Sequence, residues 1–429
     1  MSRAVSLEGF DTAFEMSAAA VRFGVGVTRE VGMDLADRGA RRALVVTDPV
    51  IATLPPLRAV VDALDANGVS AIVYDRVRVE PTEESWLDAI AFAGTQEFEA
   101  IVAVGGGSSI DTAKAVNLYT THPPADFLDY VNPPIGRGRA VPGPLKPLYA
   151  IPTTAGTGSE TTGVAIFDLT RLHVKTGIAS RLLRPTLGLL DPDHTRTLPP
   201  AVTASAGLDV LCHALESFTA IAFTERPRPA RPSVRPPYQG TNPISDVWAL
   251  QALRMVSQHL VRAAEDPQDD EARASMMLAA SFAGIGFGNA GVHLPHAMAY
   301  PVAGGVKTYR APGYPDHPLV PHGFSVILNA PAVFRYTASA SPERHLEAAA
   351  ALGADVSRCR REDAGRALAD RIAWFMDRLG VPMGLRAVGY SSSDIPALVE
   401  GTLAQERLTK LAPRPADREA LAAMFDESL

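Results

Sequence analysis

Between residues 42 and 190 short apolar runs alternate with stretches of helical spacing, and beyond about residue 193 only helical spacing remains. That change of period constrains the fold more than any other feature. Strands alternating with helices demand a mostly parallel sheet, whereas sustained helical spacing builds a helical layer. The strand-like runs are Arg42–Asp48, Ser70–Tyr74, Ala100–Val104, Leu148–Pro152, Gly163–Phe167 and Leu187–Leu190. Between them, Leu57–Asn67 reads as a helix closed by Gly68, Glu83–Ala93 as one that Thr82 caps, and Ile110–Val116 as the start of a third. The later helices are expected at Ser245–Glu265, Asp270–Phe287, Ser325–Tyr336, Pro342–Leu352, Asp363–Leu379 and Arg418–Ser428. Asp191-Pro192 and Pro199-Pro200 punctuate the junction. We therefore expect an α/β unit over residues 1–195 and an all-α unit over 196–429, which suits a chain of 429 residues, too long for one typical core.

Composition narrows the class. A net charge of −7 argues against non-specific nucleic-acid binding. Two cysteines, Cys212 and Cys359, make no disulfide framework and fit a reducing compartment. No apolar run approaches the ~20 residues that span a membrane. The stretch Met1–Asp11 carries acids early and lacks an apolar core, so it reads as neither signal peptide nor Arg-rich transit peptide. The expectation is a cytoplasmic enzyme with no membrane partner.

In the first half, Gly105-Gly106-Gly107-Ser108-Ser109 lies between a strand and a helix. Glycines allow close backbone approach, and helix N-terminal N–H groups favour an anion, so this turn is a candidate phosphate cradle. It lacks the G-x-G-x-x-G fingerprint. Asp48 ends the first strand on the same sheet edge, where a carboxylate can take the hydroxyls of an adenosine ribose and repel a 2′-phosphate. That choice favours NAD over NADP, although Asp48 is equally a turn residue before Pro49. The hydroxyl-rich loop Thr153-Thr154-Ala155-Gly156-Thr157 can reach the pyrophosphate or the nicotinamide amide. Lys175, placed after a short strand, can contact substrate or cofactor, or stand as a solvated charge.

In the second half, Asp209 and His213 are four residues apart, so on a helix they lie on one face. Alone they are also an ordinary helical pair. Downstream, His293 and His296 lie in an apolar segment and His322 lies between Pro321 and Gly323. One aspartate with three histidines suits iron(II) or zinc, with room for a substrate oxygen. His293 and His317 flank these candidates as supporting groups, while His122, His173, His194, His259 and His345 read as bystanders in loops or on polar helix faces. The stretch Phe223–Gly240 carries five prolines and four arginines and reads as a stiff surface loop. Arg226, Arg228, Arg231 and Arg235 are candidate anchors for a substrate carboxylate, against the alternative of an inert solvated loop.

Taken together, Gly105–Lys114, Pro152–Glu160, Gly207–Glu216, Asn242–Asp246 and Pro321–Gly323 resemble the iron-containing (type III) alcohol dehydrogenases over nearly the whole chain. The resemblance implies an N-terminal Rossmann-like dinucleotide-binding domain and an all-α C-terminal metal-binding domain. It implies Asp209, His213, His296 and His322 as metal ligands, and it adds Asp111 to the cofactor-binding set. Phe127–Gly136, Tyr238–Asp246, Ala283–His293 and Gly401–Pro413 look like one branch, the hydroxyacid-oxoacid transhydrogenases. That branch implies oxidation of 4-hydroxybutyrate to succinic semialdehyde, coupled through bound NAD(H) to reduction of 2-oxoglutarate to 2-hydroxyglutarate. An ordinary NAD-dependent alcohol dehydrogenase or aldehyde reductase is the alternative, and a homodimer is expected. Where many family members carry a second histidine four residues after the first, this chain has Tyr300, a candidate substrate donor or a packing residue. Eukaryotic members of the branch carry a presequence, and reading none here suggests a bacterial protein.

Overall fold

The structure, a computed structural model, describes residues 9–172 and 174–429. The leader expectation over Met1–Glu8 and the placement of His173 lie outside the described residues. The strands are β1 (Ala20–Phe23), β2 (Arg42–Val46), β3 (Ser70–Tyr74), β4 (Ala100–Gly105), β5 (Leu148–Pro152), β6 (Val164–Leu169), β7 (Val174–Ala179) and β8 (Leu187–Leu190). Six form one parallel sheet in the order β1-β8-β5-β4-β2-β3. Four helices belong to it: α1 (Val31–Asp37), α2 (Pro55–Ala66), α3 (Glu83–Gly94) and α4 (Gly107–Thr121). Every residue of β4 is buried, as an apolar run sandwiched between helical layers must be. Two separate apolar clusters lie on its two faces, one around Val45, Val102 and Val104, the other around Leu44, Ile101 and Ala103. Thr82 caps α3, its hydroxyl accepting from Ser85 N while Ser85 Oγ accepts from Thr82 N.

Two strands escaped the sequence reading. β1 is short and mostly exposed, and β7 pairs antiparallel with β6 in its own ribbon. Lys175 lies inside β7, buried, rather than after a strand as a surface charge.

The remaining helices are α5 (Pro200–Thr219), α6 (Pro243–Glu265), α7 (Asp270–Ala290), α8 (Leu294–Gly304), α9 (His322–Ile327), α10 (Ala330–Thr337), α11 (Pro342–Ala351), α12 (Ala364–Arg378), α13 (Ile395–Leu403), α14 (Glu406–Thr409) and α15 (Arg418–Glu427). The helix expected over Ser325–Tyr336 is two, α9 and α10, separated at Leu328-Asn329. α5 is buried along nearly its whole length and sits at the centre of the largest apolar cluster. No single described helix is long and apolar enough to cross a membrane, although α7 and α8 together pass by length and composition with a bend of 104°. His194 and His345 are buried rather than surface bystanders. His194 Nε2 bonds Thr28 Oγ1 at 2.6 Å, and His345 Nδ1 bonds Ser341 O at 2.8 Å.

Candidate active site and metal centre

Helical spacing brings the first pair together. Asp209 and His213 project from α5 with Asp209 Oδ1 to His213 Nδ1 at 3.6 Å. α8 adds His296, whose Nε2 lies 3.4 Å from the same oxygen, and the start of α9 adds His322 Nε2 at 3.7 Å. Gly323 lets α9 come this close: a Cβ there would sit 1.9 Å from Ser205 O on α5. Phe287 stacks on His213 at 4.0 Å between centroids, 7° from parallel, which fixes the ring plane.

Asp209 Oδ1, His213 Nδ1 and His296 Nε2 are buried and have no hydrogen-bond partner. Orphaned buried polar atoms are rare, and three aimed at one point need an explanation. Tetrahedral donors about 2.1 Å from a common ion stand about 3.4 Å apart, close to the separations seen. Asp209, His213 and His296 therefore fit a divalent metal, with their ligand atoms within 4.8 Å of one another, and His322 stands at the rim, less buried than the others.

Glu216, one turn beyond His213 on α5, explains the orientation of His296. Its Oε1 lies 2.5 Å from His296 Nδ1, while Oε2 accepts from His293 N at 2.6 Å. A carboxylate on the far ring nitrogen turns Nε2 toward the metal position and raises its basicity. Burial pushes the His296 pKa down, but Glu216 and Asp209 outweigh it and hold it at about 9. Burial holds His213 at about 3 against the pull of Asp209. The Asp209 carboxyl is lowered: burial opposes this, and His213, His322 and His296 overcome it. His293 points elsewhere, its Nε2 bonding Thr219 Oγ1 at 3.0 Å.

The glycine turn stands at the carboxyl ends of β4 and β5, with Asp48 just beyond β2. The chain reverses its march across the sheet between β2 and β4, where parallel sheets offer a ligand crevice. α4 begins at Gly107, so its first N–H groups lack intrahelical acceptors. A Cβ on Gly107 would meet Thr157 Cγ2 at 2.6 Å, so glycine lets the two loops close on each other, and Thr154 lies near Gly106, 3.3 Å from where a Cβ would stand. These features fit a nucleotide pyrophosphate. Asp48 Oδ1 accepts from Val50 N and Ile51 N, while Oδ2 faces Gly105. Thr153 N bonds Gly105 O and Ser108 Oγ accepts from Glu80 N, whereas Ser109 Oγ is buried without a partner. Asp111 is held inside the protein, its oxygens taken by Ser159 Oγ, Lys114 Nζ and Ile166 N.

Lys175 Nζ lies 2.5 Å from Glu80 Oε2 and 3.1 Å from Asp168 Oδ1. Burial would lower its pKa, but the two carboxylates raise it. Glu80 has a left-handed backbone, φ 55°, the sole non-glycine of that kind among the described residues. Such strain collects at functional sites. Glu80 and Asp168 line a cavity of about 290 Å3 with Ala303, Gly304, His317 and Pro318. Tyr300, four residues after His296 on α8, is buried beside Arg407, and burial pushes its pKa up to about 12. Sequence reasoning assigned no role to Glu216, Glu80 or Arg407. Glu216 had a signal, since it is seven residues after Asp209 and hence on the same helix face.

The arginines of the 223–240 loop have other neighbours. Arg235 forks onto Asp11 at 2.9 and 3.0 Å, Arg226 O accepts from Asp11 N, and Arg228 N donates to Gly9 O. Arg228 and Arg231 are exposed. The loop is thus stitched to the N-terminal segment.

Residues 18–192 match the model of the iron-containing alcohol dehydrogenase family, and residues 238–429 match that of its C-terminal region. The chain is 59% identical over 421 residues to the mitochondrial hydroxyacid-oxoacid transhydrogenase of Bos taurus, covering 98% of this chain and 90% of that one. It is 58% identical to the protein of the same name from Homo sapiens over the same shares. Sulfoacetaldehyde reductase from Bifidobacterium kashiwanohense, solved with NAD+, superposes with a TM-score of 0.78 at 26% identity, covering 97% of this chain and 99% of that chain. The expectation of a bacterial, cytoplasmic protein is corrected by these relatives, which are eukaryotic and named mitochondrial. An early acid and a missing apolar core exclude too little to assign a compartment. The chain is an oxidoreductase acting on small molecules, and it belongs to the iron-containing alcohol dehydrogenase family, in its hydroxyacid-oxoacid transhydrogenase branch.

Proposed function

We propose that this chain oxidises 4-hydroxybutyrate to succinic semialdehyde and returns the hydride to 2-oxoglutarate, giving 2-hydroxyglutarate, through NAD(H) that stays bound. The observation that carries this reading is the set of three buried, unpartnered ligand atoms on Asp209, His213 and His296. The names of relatives 58–59% identical support a hydroxy acid and an oxo acid as the two substrates, and the particular pair is our proposal. Iron(II) is the proposed ion, supported by the name of the matching family, with zinc as the alternative the same ligands accept.

A divalent ion in this site supplies a Lewis acid to the substrate oxygen, and the nicotinamide supplies the hydride acceptor. The protein's part is positioning. Glu216 fixes the His296 ring, Phe287 fixes that of His213, and Gly323 seats His322. We assign the glycine turn, Ser108, Ser109, Thr153, Thr154 and Thr157 to the cofactor phosphates and nicotinamide side, and Asp48 to the ribose. Tyr300, its phenol held protonated at neutral pH, can donate a hydrogen bond to substrate but cannot accept its proton. Lys175 keeps Glu80 and Asp168 paired at the cleft. We place the division between cofactor and metal halves near residue 195. A homodimer is proposed too, supported by the edge position of β1 with Val21 and Phe23 exposed.

The test is turnover of 4-hydroxybutyrate with 2-oxoglutarate by metal-replete protein freed of loose nucleotide by gel filtration. Formation of 2-hydroxyglutarate without added NAD supports the reading. Strict dependence on added NAD, with release of NADH, favours the ordinary dehydrogenase.

A further inference from the structure

Half-buried Arg407 is unlike the better-partnered cations, for even Arg273 and Arg184, which also make no ion pair among the described residues, donate to main-chain carbonyls. Lys175 is paired with Glu80 and Asp168, Lys114 with Asp111, and Arg235 with Asp11. Arg407, on α14, makes no ion pair among the described residues, and its Nη1 is buried without a hydrogen-bond partner. Its guanidinium carbon lies 5.0 Å from the Tyr238 ring centroid, and its leading electrostatic neighbours are the phenols of Tyr238 and Tyr300. A half-buried cation with a buried, unpartnered Nη1 that faces two phenols instead of a carboxylate is an incomplete arrangement. It is completed by an anion that arrives from outside, and a guanidinium takes a carboxylate bidentately.

The place is as telling as the charge. Tyr300 stands one helical turn beyond His296 on α8, so the two share a face. Tyr238 packs edge-on against Phe287, the ring that stacks on His213. Arg407 is therefore linked to His296 through Tyr300 and to His213 through Tyr238 and Phe287. Tyr238 and Tyr300 pack in one apolar cluster with Phe287, Val164, Ala297 and Leu408, so the guanidinium has few polar neighbours.

We propose that Arg407, backed by the Tyr238 and Tyr300 phenols, is the anchor for the substrate's distal carboxylate. The proposal rests on the transhydrogenase reading and adds a reason why one site serves both half-reactions. In 4-hydroxybutyrate the carboxyl carbon is three bonds from the reacting carbon. In 2-oxoglutarate the distal carboxyl carbon is also three bonds from the reacting carbon. One fixed cation thus sets the same reacting position for both substrates, and the hydride leaves and returns through one geometry. A neutral alcohol of the same length lacks the group that Arg407 holds.

The experiment compares wild type with Arg407→Ala and Arg407→Lys as full-length, metal-loaded proteins. Two quantities are read: the ratio of kcat/KM for 4-hydroxybutyrate to that for 1,4-butanediol, and calorimetric binding of glutarate, which cannot react. Arg407→Ala should lower the ratio by about 10- to 100-fold, mainly through KM, and weaken glutarate to a similar extent, as loss of a charged hydrogen bond does. Arg407→Lys should fall between, keeping charge without the fork. An unchanged ratio with unchanged glutarate affinity, in either variant, overturns the proposal, as does an equal loss on acid and diol. Should Arg407→Ala fail to retain metal, the Lys variant decides by the same two readings. A wild type that shows no preference for the acid refutes the transhydrogenase reading instead, and the glutarate comparison still judges Arg407.

Discussion

Glu216 and His296 meet at 2.5 Å, carboxylate oxygen to ring Nδ1, deep between α5 and α8. The second oxygen of Glu216 takes the N–H of His293 at the start of α8, so one carboxylate sets both a ring and a helix end. The metal-facing nitrogen of His296 is aimed by a residue that never touches the ion.

Glu216→Gln should therefore weaken metal binding without emptying the first rank of ligands. The expected loss is about 10- to 100-fold in affinity, measured by competition with a chelator. The same variant should pull the raised His296 pKa down toward its ordinary value, followed by NMR on metal-free protein. Unchanged affinity would show that α8 alone positions the ring.

The His296 shift also predicts a pH dependence. In metal-free protein its folded pKa, about 9, lies above the ordinary 6.5. A raised folded pKa stabilises below the unfolded value, so this contribution is present in full under about pH 6.5 and is lost as pH rises toward 9. Metal needs the neutral ring, so uptake near pH 7.5 should release about one proton. Titration calorimetry in buffers of different ionisation enthalpy measures it. No proton release, or metal-free protein that gains stability between pH 6.5 and 9, would contradict the assignment.

His322 is tested at two positions. His322→Ala should strip most of the metal and the activity while circular dichroism stays near wild type. Gly323→Ala should act on the same ligand from behind, because its Cβ meets Ser205 O and α9 must shift. We expect about 1–3 kcal/mol of destabilisation together with reduced metal content. A His322→Ala protein with full metal and normal turnover removes His322 from the ligand set.

Asp48 combines a turn role with the proposed ribose role. Asp48→Ser should narrow the preference for NAD over NADP in binding, since the charge that repels a 2′-phosphate is gone. It should also cost about 1 kcal/mol as the caps on Val50 and Ile51 weaken. Stability loss with an unaltered preference would leave Asp48 as a turn residue only.

The parts of this molecule legible in sequence are those with a strong period or a short motif. β4 could be seen because it is buried on both sides, and α5 because its apolar residues recur at helical spacing. β1 escaped because an exposed edge strand needs no apolar pattern, and β7 because its charged Lys175 is neutralised by Asp168, opposite it on β6, and by Glu80 from a distant segment. The break between α9 and α10 did carry a signal, Pro331 in the first turn of α10, which the helical spacing on either side obscured. Asp209, His213 and Glu216 share one helix, so their convergence follows from spacing. Arg407 is far from them in sequence, and only tertiary packing brings it beside Tyr300.

The most direct measurement is isotopic. Protein freed of loose nucleotide is given 4-hydroxybutyrate deuterated at C4, unlabelled 2-oxoglutarate and a pool of unlabelled NAD. The account predicts deuterium at C2 of 2-hydroxyglutarate in near-stoichiometric yield, with none in the NAD pool, because the hydride passes through nucleotide that never leaves. Deuterium in the free nucleotide, or 2-hydroxyglutarate without label, would contradict it.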